Sequence, residues 1–302
     1  MYKRQDDLVL GLFTGSLAWR IARTLRRMEP GARLPWQVLG LATGLFSVAS
    51  LITGLTHSGF GDAGPGDVLL LVASFGPPVT CVLLARRVHG RRWLPLVLDG
   101  LAVTTALLVT ADVVLFAPAL GPDGVSGVVG AVLVGYGGYA ALTIGLAAAL
   151  CTVSAAALRR AATGVLATTA FFGLSASAQA LYMVHPTGGW QLLTDLALLV
   201  ALHFAGCAAG WAPAADPASG SPESAPTVGL TGALITVTAV IALPVTMVVQ
   251  LLTGRSPLDL QSAGCAAVLL LLLARMALRI RDTGRMSEDL LRSEEDLSLI
   301  HI

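Results

Sequence analysis

Four polar side chains near the ends of apolar segments are placed where they can form one site. Asp112 is near the outer end of one predicted membrane span. Gln191 and Asp195 lie one helical turn apart near the outer end of another, and His185 is in the adjoining loop. A charged side chain at the bilayer centre costs roughly 2.5 to 3.5 kcal/mol, so an ionisable group in a span is a candidate for function. We predict that these residues gather at the outer mouth of a helix bundle as a ligand or proton site.

The competing interpretation of these residues is structural. An acidic group near a helix end can reach interfacial water, which lowers its cost and removes the need for a function. Two further polar residues lie within spans, Asp99 toward the inner end of one and His203 inside another. For His203, a buried hydrogen bond between helices is favoured over a ligand site.

The sequence contains no constellation typical of an enzyme or a cofactor site. Its five histidines do not combine with Ser and Asp into a nucleophile set, and no glycine loop of the phosphate-binding type is present. The four cysteines fall one to an apolar segment without Cys-x-x-Cys spacing, and we expect them to pack as small apolar residues. We predict no catalytic residue, no cofactor, no metal and no disulfide.

The candidate residues must be positioned by helices that cross a membrane. The chain of 302 residues is 55% hydrophobic and 12% charged, whereas soluble domains carry about 25% charged residues. Runs of about 20 apolar residues, the length that crosses the hydrocarbon core, recur along it. They predict an all-α polytopic membrane helix bundle of about eight full transmembrane helices after a partial first one. The full spans are 35–56, 67–85, 93–116, 127–150, 161–184, 190–211, 228–253 and 262–278.

Basic residues set the predicted orientation, because Lys and Arg in short loops stay on the cytoplasmic side. Of the 19 basic residues, all but Lys3, Arg4 and Arg255 lie on one side of the alternating spans. The single Lys and the absence of Asn are typical of a GC-rich bacterial gene. We predict a multi-pass protein of the bacterial cytoplasmic membrane with both ends of the full-span block in the cytoplasm. This topology explains the arginine-rich loops, so we expect no nucleic acid as a partner.

Changes in composition divide the chain into five parts. Residues 213–227, rich in Pro, Ser and Ala, are predicted to form a flexible cytoplasmic linker. The linker separates a six-span block, 35–212, from a two-span hairpin, 228–278. The partial span and a basic cytoplasmic segment make up 1–34, and 279–302 is a cytoplasmic connector helix.

Prolines and glycines inside the spans predict local features. Pro77 and Pro78 should kink or break the second span, and Pro244 the seventh. A broken helix can line a site, although a packing kink is the simpler interpretation. Glycines four residues apart, such as Gly40 and Gly44, predict close contacts between helices.

The last span continues into a charged helix without a proline break. Met286 and Leu290 fall at heptad positions a and d, which is compatible with a parallel coiled coil and a homodimer through this exit helix; a solvated amphipathic tail has equal support. Residues 1–5 and 297–302 differ in amino-acid usage from the rest of the chain and are interpreted as non-native. We therefore expect the native protein to extend in both directions.

The exit helix also carries a family resemblance. Its residues 275–281 are Arg-Met-Ala-Leu-Arg-Ile-Arg, and 290–296 are Leu-Leu-Arg-Ser-Glu-Glu-Asp. After a multispan block, this arrangement resembles the membrane region of actinobacterial diguanylate cyclases and cyclic di-GMP phosphodiesterases, the GGDEF/EAL signalling proteins. In that family a Leu-Arg-x-Ser-Glu-Glu segment leads into a PAS sensor or a GGDEF catalytic domain.

The resemblance implies a membrane sensory and anchoring module. Such a module answers an unspecified ligand or stimulus and passes the signal through its exit helix to a cytoplasmic domain that makes or degrades cyclic di-GMP. That catalytic domain is not in the chain, so no catalytic residue can be carried over. A transporter or permease subunit is the alternative, favoured by the acidic residues in the spans and by the broken second helix.

Overall fold

The computed structural model describes residues 2–56, 65–89, 93–111, 127–153, 156–184, 188–211, 266–271, 273–278 and 280–281. These residues are helical or form short turns between helices, and no strand occurs among them. The predicted all-α class is therefore confirmed for the described part of the chain.

The described helices follow one another along the chain. Their bounds are α1 Tyr2–Leu25, a 3-10 turn Pro30–Ala32, α2 Arg33–Thr56, α3 Pro65–Ser74, α4 Gly76–His89, α5 Trp93–Ala111, α6 Gly127–Val153, α7 Ala156–Val184 and α8 Gly188–Gly210. A last apolar helix, α9, covers Ala266–Leu278.

Several helices are suited to a membrane. Four stretches of the described chain are long and apolar enough to cross one: Pro30–Thr56, Val68–Arg87, Trp93–Ala111 and Gly188–Ala208. The outer surface is apolar as well, since Leu12, Leu41 and Leu192 are each exposed over 60% or more of their area. Such an exterior suits lipid better than water. The fold is thus a helical bundle consistent with a membrane protein, and the count of eight spans stays a prediction.

Six helical units form a closed ring. α1 packs against α2, and the α3/α4 pair packs between α2 and α6. α7 packs against α6 and α8, and α8 returns to α1. α5 lies outside this ring, against α4 and α6. The ring therefore encloses a central space that α5 does not border.

α1 belongs to this ring. The sequence analysis set 1–34 apart from the span block, but Tyr2–Leu25 is one continuous helix that packs against both α2 and α8. The side chains of Thr14, Leu17 and Ile21 are exposed by only 0, 3 and 1%. Charged residues toward both ends of the helix lower its average hydropathy, so hydropathy alone does not reveal this buried face.

Small residues let the helices approach closely. A Cβ atom on Gly11 of α1 would meet the Leu51 side chain at 2.7 Å, and one on Gly40 of α2 would meet the Ile21 side chain at 3.0 Å. At Gly44 no atom lies within 4 Å of the Cβ position. The predicted close contact is therefore confirmed at Gly40 but is wrong at Gly44, which faces away from the neighbouring helices.

α5 and α6 approach each other at backbone distance. A Cβ on Gly145 of α6 would lie against the carbonyl oxygen of Gly100 on α5 and 3.0 Å from the backbone nitrogen of Thr104. The Thr104 hydroxyl donates to the Gly100 carbonyl at 2.7 Å and reaches the Ala141 carbonyl of α6 at 3.4 Å. This crossing has no room for a side chain at Gly145.

Buried hydroxyl groups donate hydrogen bonds across helix interfaces. Examples are Ser47 to the Gly11 carbonyl at 2.6 Å, Thr80 to the Pro35 carbonyl at 3.1 Å and Ser175 to the Thr194 carbonyl at 2.9 Å. These bonds join α2 to α1, α4 to α2 and α7 to α8. Hydroxyl donors to a neighbouring backbone are typical of helix packing in lipid.

The second predicted span is divided next to Pro77 and Pro78. α3 ends at Ser74 and α4 begins at Gly76, with Phe75 in a turn between them. Proline is tolerated in the first turn of a helix because the N–H it lacks would have no partner there. The two prolines therefore begin α4 instead of interrupting it.

Some predictions fall on residues that the structure does not describe. These are the linker 213–227, the seventh span with Pro244, and the connector beyond Arg281 with Met286 and Leu290. They stay predictions.

The crossing of α5 and α6 gives a test of the packing. We expect Gly145→Ala to destabilise the protein by about 1 to 3 kcal/mol, because a methyl group must push two backbones apart. Gly44→Ala makes the same change where space is open, and should be neutral or stabilising by up to about 1 kcal/mol through helix propensity. Thermal unfolding of both variants in the same detergent measures the difference. Equal effects would contradict the close crossing.

Candidate functional site

A charge pair joins the last described helix to α5. The Arg275 Nε atom of α9 lies 2.5 Å from the Asp99 Oδ1 atom. The two side chains are exposed by only 15% and 21%, respectively. Both atoms are buried, and their contact with each other lacks hydrogen-bond geometry. The contact is therefore held by the attraction of opposite charges, not by an aligned hydrogen bond.

The position of this pair explains why two charges can lie in an apolar setting. Asp99 lies within the first two turns of α5, and Arg275 lies about one turn before the end of α9. Each charge offsets the other, while removal of one partner from a buried pair costs about 3 to 5 kcal/mol. The pair thus favours one position of α9 along its axis, since a shift of α9 would separate the charges.

The sequence singled out Asp99 but not its partner. Arg275 lies in the run of arginines near the end of the last span, where topology is enough to explain a positive charge. The feature of the sequence that indicates this partner is the position of Arg275 along its apolar helix. Asp99 and Arg275 are opposite charges near the same end of two apolar helices, and ionisable groups in such helices usually pair with one another.

The predicted outer site is only partly within the described residues. Asp195 lies on α8 and is half-buried, with an interaction of its own. Asp112, His185 and the side chain of Gln191 lie outside the described residues. Whether the four residues meet at one site therefore stays a prediction.

His203 does not take the predicted buried position. Its side chain is exposed, on the outer face of α8. The Nε2 atom lies 3.6 Å from the Cys207 Sγ atom one turn along the same helix, and the ring meets the Phe204 ring edge-on at 5.9 Å. The expectation of a hydrogen bond between helices is wrong, because these contacts lie within α8 and the side chain faces outward.

The ring of helices lines a partly open cavity of about 110 Å³. Every unit of the ring contributes to its lining, and α5 contributes nothing. Apolar side chains make up most of the wall, with Phe46 of α2 and Phe172 of α7 in edge-on contact at 6.1 Å. None of the described residues that line the cavity is Asp, Glu, Lys, Arg or His. We call this space the central chamber.

The hydroxyl groups of the central chamber are mostly occupied. Six Thr and Ser side chains in the wall donate a hydrogen bond to a carbonyl three or four residues earlier in their own helix. They are Thr14, Thr43, Ser74, Thr143, Thr168 and Thr169, at donor distances of 2.8 to 2.9 Å. The hydroxyl proton of each side chain is already in a hydrogen bond. These side chains therefore present methyl or methylene groups and oxygen lone pairs to the chamber.

A packed core closes the chamber toward the arginine-rich end of the bundle. Trp36 of α2, Cys81 of α4 and Leu150 of α6 are exposed by 3, 1 and 1% and belong to one apolar cluster. On each of these helices, the buried residue lies between the residues that line the chamber and the nearest arginines along the chain. The chamber therefore has no open passage through this core.

The described residues offer no metal site, since no group of three or more His, Cys, Asp or Glu comes together among them. Among the described cysteines, Cys81, Cys151 and Cys207 are not joined by a disulfide.

No protein-family model, curated protein or solved structure matches the chain.

The charge pair makes a prediction about stability. We expect Asp99→Asn and Arg275→Gln to destabilise the protein by about 3 kcal/mol each, since each leaves one buried charge without its counter-charge. The double variant should cost clearly less than the sum, because it removes both charges. Unfolding with a denaturing detergent in mixed micelles gives the three values.

The control for the two single variants and the double variant is Arg281→Gln. Arg281 lies beyond α9 and its side chain is exposed, so the change should stay within about 0.5 kcal/mol. If the effects of Asp99→Asn and Arg275→Gln simply add, the two charges do not interact.

Proposed function

We propose that the chain is the membrane sensory and anchoring module of a bacterial signalling protein. In this proposal the signal leaves through the exit helix to a cytoplasmic output domain, carried by a longer form of the chain, that makes or degrades cyclic di-GMP. The observation that carries the proposal is the Asp99 to Arg275 pair. It links the helical ring, through α5, to the helix from which the charged connector continues.

The packing of α9 supports a movable connection. Val268 is buried, exposed by 2%, but Leu269, Leu273 and Met276 are exposed by 62, 55 and 61%. The described part of α9 therefore meets the bundle along a narrow face. A helix held by one charge pair and a narrow face can shift or rotate without disrupting a large core, which is the property a signalling helix needs.

The proposed topology places the connector on the same side of the membrane as the output domain. With eight spans and both ends of the block in the cytoplasm, α9 runs toward the side where arginines dominate, at the cytoplasmic (inner) membrane. Heptad positions at Met286 and Leu290 would then join two copies as a parallel coiled coil. A change at α9 would reach the output domains through the pairing of these helices.

A transporter or permease subunit is the second candidate. The division between α3 and α4 favours it, because Ser74 and Pro77 on either side of the break line the central chamber. The chamber itself argues against a charged solute, since its described lining contains no acidic or basic side chain and a packed core lies at one end. The signalling proposal accounts for both the charge pair and the exit helix, so we prefer it.

The first test is to sequence the locus past residue 302 from genomic DNA. The proposal expects the reading frame to continue into a soluble domain with cyclic di-GMP synthesis or hydrolysis motifs. A frame that runs instead into further apolar spans, or stops directly after the connector, would contradict it.

The second test uses the full-length protein in cells. We expect Arg275→Gln to change cellular cyclic di-GMP by about fivefold or more, the lower end of typical coupling between two sites. Reversal of both charges, Asp99→Arg with Arg275→Asp, should return the level toward that of the unchanged protein. Arg281→Gln is the matched control and should have no effect. A fluorescent tag reports the amount of protein in the membrane, so loss of protein is not mistaken for loss of signalling.

A further inference from the structure

The central chamber is lined by six helical units and is partly open, and the described side chains do not fill it. Close packing leaves few voids larger than a water molecule in a protein interior, and this one measures about 110 Å³. An empty space of this size forfeits the contacts its lining atoms would make, so a bound molecule would stabilise the bundle.

The chemistry of the wall selects an uncharged occupant. Six hydroxyl groups already donate to their own helices, and the lining residues that the structure describes include no Asp, Glu, Lys, Arg or His. An ion would lose its hydration shell without compensation. Water needs two to four polar partners to stay in a cavity, and apolar cavities of about 150 Å³ stay dry and take up benzene.

Tyr139 of α6 adds one polar group to this wall. Its ring meets the Phe75 ring edge-on at 4.4 Å, at the turn between α3 and α4. The described residues provide no hydrogen-bond partner for its hydroxyl group. This phenol can therefore donate one hydrogen bond to an oxygen atom on a bound molecule.

We propose that the central chamber binds an uncharged hydrocarbon group with at most one polar oxygen. The size of the space suits a group about as large as a small ring. The group is either a small lipophilic molecule or the end of a longer alkyl or isoprenoid chain that enters from the lipid. This binding does not depend on the proposed signalling role, because a permease would bind the same group.

Photolabelling tests the binding directly. The purified protein in lipid nanodiscs is irradiated with a short-chain alcohol that carries a diazirine, and separately with a long-chain fatty alcohol that carries the diazirine at its tip. Mass spectrometry then locates the labelled residues. We expect saturable labelling at chamber residues such as Thr143, Phe172 and Leu202. Labelling by the short probe alone identifies a small-molecule site, and labelling by the tip of the long probe identifies a chain-end site.

A matched pair of variants separates the chamber from the outer surface. Ala201 of α8 lines the chamber and is exposed by 1%, whereas Ala170 of α7 faces outward. Ala201→Leu should fill the space and reduce chamber labelling at least tenfold, while Ala170→Leu leaves it unchanged. Tyr139→Phe should weaken competition by the alcohol more than competition by the matching alkane.

Two results would overturn the proposal. One is labelling of the unchanged protein only at outward-facing residues such as Leu192 and Leu199, which means that the probes contact the bundle from the lipid alone. The other is equal chamber labelling in Ala201→Leu and the unchanged protein. The labelled positions of the unchanged protein are measured without any variant. The first result can therefore overturn the proposal even if Ala201→Leu does not fold.

Discussion

Helices with an apolar exterior gain little from packing apolar side chains against one another in lipid, because lipid is equally apolar. The ring therefore depends on close backbone approach and on hydrogen bonds between helices. Gly100 and Gly145 bring α5 to α6, and the Ser47 hydroxyl reaches the Gly11 carbonyl at 2.6 Å. These contacts fix the positions of the helices, and the fixed positions in turn leave the central chamber and bring Asp99 to Arg275.

The bundle has two kinds of contact with different consequences. Most ring helices share one buried apolar cluster, and α1 packs through a smaller one at Leu17 and Ile21, so these helices move only if many contacts are lost together. The described part of α9 has a narrow buried face and one charge pair, and most of its large apolar side chains are exposed. Local stability follows the number of buried contacts. A rigid ring beside a loosely held last helix is the arrangement from which a sensory module can transmit a change.

The sequence predicts where the helices lie along the chain better than it predicts which of their faces are buried. Long apolar runs identify the spans, and the cost of a charge in lipid singles out Asp99. A span that is apolar all round has no polar face, so periodicity cannot show that His203 points outward or that α1 carries a buried stripe. Arg275 resembles a topology marker among other arginines, and the central chamber depends on the placement of six helical units. Both are consequences of three-dimensional packing, which local composition does not encode.

The most direct measurement is the distance between α5 and α9 in lipid. Spin labels at Leu94 and Met276, exposed by 41 and 61%, replace side chains that the core does not need, in a protein whose own cysteines are changed to serine or alanine. Double electron–electron resonance should give one narrow distance distribution for this protein and a broader or shifted one after Asp99→Asn. An unchanged distribution after Asp99→Asn would show that the charge pair does not hold the last helix in place.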